Sequence, residues 1–183
     1  MNRRVLDLLR RGGYILYARH GEATVGVDQP DLNFQYCFTQ RNLSQEGRRQ
    51  AIYYGAILRN LRIPISYPIL ASPFCRTIET AQLAFGWENV QVDPFWFEIY
   101  KLSGILSSAE QKRILAALQS RLEIELPQGS NRVIIAHSFP KEIGLGQIPN
   151  MGTVIIKPKG WGNGYEIAAK LSLAGLVDLL RIV

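Results

Sequence analysis

The chain has 183 residues, 47% of them apolar, and 21 Lys and Arg against 15 Asp and Glu give a net charge of +6. A chain of this size buries roughly 70% of its unfolded surface and holds a core without staples, so one domain over residues 1–183 is expected. The two cysteines, Cys37 and Cys75, lie far apart in sequence and are too few for a secreted disulfide framework or a zinc knuckle, which fits a reducing, cytoplasmic setting.

The N-terminal "MNRRVLDLLRRGG" carries Val5, Leu8 and Leu9 at helical spacing. Asp7 and Arg10 interrupt it, unlike the unbroken apolar core of a signal peptide. No segment reaches the roughly 18 apolar residues of a membrane helix, so no membrane partner is expected. The basic residues come as scattered pairs (Arg3 and Arg4, Arg10 and Arg11, Arg48 and Arg49) without interleaved aromatics, which argues against a nucleic-acid partner.

Tyr14 to Ala18 form a short buried strand that Gly21 ends. A polar and aromatic stretch, residues 22 to 43, precedes a helix from Ser44 to Leu61 with Ala51, Gly55 and Leu58 on one face. "YPILAS" is a second strand, followed by a helix with Ser72 as cap, Pro73 at its first position and Gly86 at its end. "NVQVD" is a short third strand. Ser107 with Glu110 makes a capping box for a helix carrying Ile114, Leu115, Leu118 and Leu122. "RVIIAHS" is the fourth strand. "GTVIIKP" and "GYEIAAKLS" flank the turn-rich "KGWGNG" as an antiparallel hairpin, and a last short helix places Leu173, Leu176, Val177 and Leu180 on one stripe. Strands alternating with helices predict an α/β fold: a three-layer α/β/α sandwich with a mostly parallel central sheet and a C-terminal antiparallel edge hairpin.

Ligands in such folds gather at the carboxyl ends of the strands. There the first strand delivers Arg19, His20, Gly21 and Glu22, the second leads through Ser72 to Arg76, and the fourth delivers His137. Both histidines of the chain and two arginines thus share one rim. Arginine repels a cation and neither cysteine stands at ligand spacing from a histidine, so neither a metal nor another cofactor is expected. A tetrahedral dianion suits the set, because guanidiniums fork onto phosphate oxygens and a neutral imidazole is a nucleophile. Rival chemistries fail on spacing. Six residues beyond Cys37 and Cys75 stand Leu43 and Ala81, where a cysteine phosphatase needs arginine. "AHSFP" lacks the glycines of a serine-hydrolase elbow, and the glycines at 144 to 152 and 160 to 164 open no dinucleotide-binding turn.

Four blocks in order, "RHGEA", "LSQEGRRQA", "ASPFCRTIETA" and "VIIAHS", resemble the signatures of the histidine phosphatase superfamily, the phosphoglycerate mutase-like group, over residues 12 to 171. The resemblance implies that His20 becomes phosphorylated, with Arg19, Arg76 and His137 around the phosphoryl oxygens. Gly21 lets the backbone turn close beside the substrate, and Ser138 is a further donor to consider. The family's general acid comes from the segment after the third strand, which points to Glu98 in "DPFWFEIYKLSG", with Asp93, Asp28 and Glu22 as competitors. Desolvation among Phe95, Trp96, Phe97 and Tyr100 would raise the pKa of Glu98, as a general acid requires.

The chain also departs from the pattern. "ATVG" stands where relatives often carry an asparagine, Ser138-Phe139-Pro140 replaces glycines, and "SFPKEIGLGQIPNM" is short where the family often inserts a helix. The family's substrate contacts therefore do not transfer. The expectation is a metal-independent phosphomonoesterase acting on a small phosphorylated substrate or a phosphoprotein. A mutase comes second, because so short a chain leaves little sequence for closing elements that exclude water. A non-catalytic module that binds phosphoryl groups is the third reading, and substrate and oligomeric state are left open.

Overall fold

A computed structural model describes residues 2–182. Strands β1 (Ile15–Arg19), β2 (Ile65–Ala71), β3 (Val90–Val92), β4 (Asn131–Ala136), β5 (Thr153–Pro158) and β6 (Tyr165–Leu171) form one sheet in the order β3-β2-β4-β1-β5-β6. The first four are parallel, β5 runs antiparallel to β1, and β6 antiparallel to β5. The helices are α1 (Asn2–Arg11), α2 (Gln45–Asn60), α3 (Cys75–Phe85), α4 (Trp96–Lys101), α5 (Ser108–Leu122) and α6 (Leu173–Leu180).

Period-two alternation splits the core in two. Leu16 and Ala18 of β1 pack with Leu9, Tyr54, Leu58, Ala81 and Leu176 from α1, α2, α3 and α6. Ile15 and Tyr17 turn the other way, onto Trp96, Ile99, Ile114 and Leu118 of α4 and α5. Both faces are covered, which is why Ile15 to Ala18 are all buried and read as one unbroken apolar run. The expected α/β/α sandwich, mostly parallel with an antiparallel edge hairpin, is the fold observed.

Side-chain caps fix three of the six helix starts. Ser44 and Ser172 accept from the backbone of Gly47 and Gly175, and Ser107 with Glu110 forms the capping box. Ser72 is a correction: α3 begins at Cys75 with Phe74 in the N-cap position, and the Ser72 hydroxyl lies instead 2.8 Å from His137 Nε2. The six-residue α4 is a second difference, since so short a helix has too few turns for its periodicity to register.

Cys37 and Cys75 are joined in a disulfide, Cα to Cα 5.7 Å, across a separation of 38 residues. This bears on the expectation of a reducing setting. Such bridges persist in oxidising surroundings, so cysteine usage no longer supports a reducing compartment. Among the described residues no helix is long and apolar enough to cross a membrane. On a chain-entropy estimate, closing a loop of this length stabilises the fold by roughly 4 kcal/mol. The double variant Cys37→Ser/Cys75→Ser is therefore expected to unfold at clearly lower urea concentration than the oxidised chain. Coincident unfolding curves with and without reductant would show the bridge contributes nothing.

Candidate active site

Backbone register brings the two histidines together. Arg19 pairs with Ala136 across β1 and β4, and Ala71 pairs with Ile135 across β2 and β4. One residue further on, His20 N–H donates to the Ala136 carbonyl (3.1 Å) and Ser72 N–H to the Ile135 carbonyl (3.0 Å). His20, Ser72 and His137 therefore sit side by side at the carboxyl edge, with the imidazole centroids 5.7 Å apart. Tyr17 locks the second histidine from below: its buried hydroxyl donates to the His137 carbonyl at 2.8 Å.

His20 Nδ1 lies 2.6 Å from the Gly21 carbonyl. A carbonyl can only accept, so Nδ1 carries the proton and Nε2 holds a lone pair. Arg76 Nε donates to that Nε2 at 3.2 Å. Burial first, then the Arg76 charge, pushes the His20 pKa down to about 3. His137 is held well below its ordinary value by burial and by the neighbouring His20, Arg76 and Arg19. Its Nε2 is engaged with Ser72, which leaves Nδ1 as the ring nitrogen available to a ligand.

The cationic groups are held by neutral carbonyls and one carboxylate. Arg19 Nη1 donates to the Ile148 carbonyl at 3.0 Å. Arg76, in the first turn of α3 and 3% exposed, packs its guanidinium over the Phe74 ring at 4.3 Å and binds Asp28 through both Nη atoms, at 2.8 and 3.2 Å. Arg41, which the motifs do not single out, adds positive potential that depresses Arg19 and His20. Its sequence signal was its place directly before the "NLS" that opens α2.

The carboxylates sort differently from expectation. Glu98 is bound by Lys101 and Arg113, at 3.1 and 2.9 Å. Burial raises its pKa, but those hydrogen bonds outweigh burial and hold it below the usual range, the reverse of the expected shift. Phe97 and Tyr100 supply the face of α4 that packs on Phe74, and Tyr100 also meets His137; Glu98 lies one position round. Glu22 accepts from Ser44 Oγ and Asp93 from Arg121. Only Asp28, among the four carboxylates weighed, touches the arginine–histidine cluster.

Ser138 and Gly21 have partners within the chain. Ser138 accepts from Ile148 N–H at 2.8 Å and donates to the Phe139 carbonyl, closing its own loop. A Cβ on Gly21 would lie 2.5 Å from the Gly47 carbonyl, so this glycine permits the post-β1 loop to cross the first turn of α2. A groove of about 590 Å³ beside the disulfide, lined in part by Phe34, Ile78 and Trp87, includes none of Arg19, His20, Arg76 or His137. No group of three or more side chains suited to a metal ion occurs among the described residues.

The chain has the fold of the histidine phosphatase superfamily, as its likeness to solved structures shows. It is similar to the protein histidine phosphatase SixA complexed with tungstate, at TM-score 0.56 and 15% identity over 89% of this chain and 99% of that one. It is similar to phosphoserine phosphatase from Entamoeba histolytica at TM-score 0.58 and 19% identity, over 89% and 98%. Phosphoglycerate mutase from Bacillus anthracis matches at TM-score 0.51 and 12% identity, over 93% and 98%. No family model and no curated protein sequence matches the chain.

Because both imidazoles are neutral when folded, the unfolded chain binds protons that the native site refuses between pH 6.5 and about 3. Stability is thus expected to fall as pH drops through that window. The chain has only two histidines, so imidazole NMR resolves both, and neither resonance should titrate between pH 5 and 8. A midpoint near 6.5 for either would contradict the burial described.

Proposed function

We propose that the protein is a metal-independent phosphatase that hydrolyses phosphomonoesters through a phosphohistidine on His20. The observation that carries this reading is the tautomer: Nδ1–H is tied to the Gly21 carbonyl, so Nε2 is the unprotonated nitrogen, and in the empty site its lone pair accepts the Arg76 Nε–H that a bound anion would draw away.

In the first step the Nε2 lone pair forms a bond to phosphorus as the bond from phosphorus to the ester oxygen breaks, and the departing oxygen takes a proton from solvent water. In the second, water attacks phosphorus and gives up a proton to solvent, the P–N bond breaks, and orthophosphate leaves with His20 regenerated. Phosphoryl transfer asks the protein mainly for alignment and for charge on the equatorial oxygens. Arg19, Arg76 and the His137 ring are the groups assigned to those oxygens. Glu98 takes no part in this mechanism, its carboxylate being bound to Lys101 and Arg113. The substrate class is a small phosphorylated compound or a phosphoprotein. Phosphatase is preferred to mutase because the 138–151 segment folds as a short loop with no helix to cover the site.

Release of phosphate from p-nitrophenyl phosphate is expected to persist undiminished in the presence of a chelator. His20→Ala is expected to lose about 10³-fold or more in kcat/KM, as removal of a nucleophile does. A requirement for added metal, or near-normal turnover by His20→Ala, would reject the mechanism.

A further inference from the structure

Arg76 is buried, and its five N–H groups can be accounted for one by one. Nη1 donates to Asp28 Oδ1 (2.8 Å) and to the Arg41 carbonyl (3.1 Å), Nη2 donates to Asp28 Oδ2 (3.2 Å), and Nε donates to His20 Nε2 (3.2 Å). One Nη2–H is left over. A guanidinium has two forks suited to an oxyanion: the end, between Nη1 and Nη2, and the side, where Nε–H and the second Nη2–H run parallel. Asp28 fills the end fork. The side fork is the one that faces the nucleophilic nitrogen.

Asp28 is in turn held from every quarter. Its side chain is 7% exposed, and besides the two Arg76 bonds it accepts from Arg41 N–H at 2.8 Å and from the Tyr100 hydroxyl at 3.1 Å. The segment that carries it is joined to α3 by the Cys37–Cys75 disulfide, one residue before Arg76, and by the Gln40 side chain, which accepts from Cys75 N–H. A carboxylate beside a phosphoryl cradle reduces the attraction for an anion. Its presence offsets the buried charge of Arg76, and the fork it occupies has a further consequence.

We propose that Asp28 is a positioning residue: by occupying the end fork of Arg76 it turns the side fork toward His20 Nε2, so that a phosphoryl group in line with that nitrogen is gripped by Nε–H and Nη2–H. The proposal rests on the reading of His20 and Arg76 as phosphoryl-handling groups. Asp28 does not act as the proton donor, because all its lone-pair directions are already taken by four donors. Freed from it, the guanidinium could meet the anion end-on, with Nε swung away from the reaction line. Misplacement of this kind costs on the order of 10²-fold in rate.

The test is Asp28→Asn, followed by three readouts. With p-nitrophenyl phosphate and phenyl phosphate, kcat is expected to fall about 10- to 100-fold, equally on both esters. KM should be unchanged or lower, since a negative charge has left the pocket. In the ligand-free protein the ¹⁵N resonance of His20 Nε2 should shift as the Arg76 N–H bond loosens. A kcat loss much larger on phenyl phosphate would make Asp28 a proton donor and overturn the proposal. A lower melting temperature with kcat and the Nε2 resonance unmoved would reduce it to a structural contact and overturn it equally. Where Asp28→Asn does not fold, Tyr100→Phe removes one donor to the same carboxylate and should give the same pattern at smaller size; no change in either kcat or resonance rejects the idea. If the wild-type chain turns over neither ester, the phosphatase reading fails, while the Nε2 resonance still decides the role of Asp28.

Discussion

A guanidinium buried at the end of a parallel sheet is the constraint on which the rest of the site depends. Arg76 can be taken out of water only if its charge and its N–H groups find partners. Those partners come from three places: His20 from β1, Asp28 and the Arg41 carbonyl from the long loop, and the Phe74 ring at the start of its own helix. The unbroken β1–β4 ladder then sets His137 beside His20 without further adjustment. Loosening any one partner leaves a buried cation short of a neighbour, which is why the loop is tied down by both a disulfide and side-chain hydrogen bonds.

The same burial governs the imidazoles. Desolvation and the Arg76 charge both oppose protonation of His20, so its ring is neutral before any ligand arrives, the form that the proposed nucleophile needs. The Gly21 carbonyl acts in the opposite direction and by a smaller amount, but it chooses which nitrogen is bare. Tautomer and charge state thus have separate causes, a backbone carbonyl for the first and burial with the Arg76 charge for the second.

Much of this was legible in the sequence because it followed from strand ends. Apolar runs covered on both faces marked β1 and β4, and the residue after each named a histidine. Ser72 was misread because a serine before proline matches a helix cap locally, while its actual partner, His137, comes from a strand 65 residues away. The pKa of Glu98 was misread for a similar reason: an acid among aromatics suggests desolvation, but Lys101 one turn on and Arg113 on the next helix hold it down. Asp28 and Arg41 lie in a loop with no periodicity, and the pairing Cys37 to Cys75 depends on how that loop folds back. Local pattern specifies the scaffold; contacts between distant segments specify which of several chemically similar side chains enters the site.

Linkage ties these observations to the proposed reaction. An anion bound among Arg19, Arg76 and Arg41 cancels the positive potential that keeps protons off His20, so binding makes positive charge on the imidazole less costly. Positive charge on the imidazole is what develops as Nε2 bonds to phosphorus and Nδ1 retains its proton. The Gly21 carbonyl, already the acceptor of that Nδ1–H, strengthens its hydrogen bond as the ring becomes cationic. A site that holds its nucleophile neutral when empty therefore favours the charged ring once the phosphoryl group is in place, with no rearrangement of the imidazole between the two states.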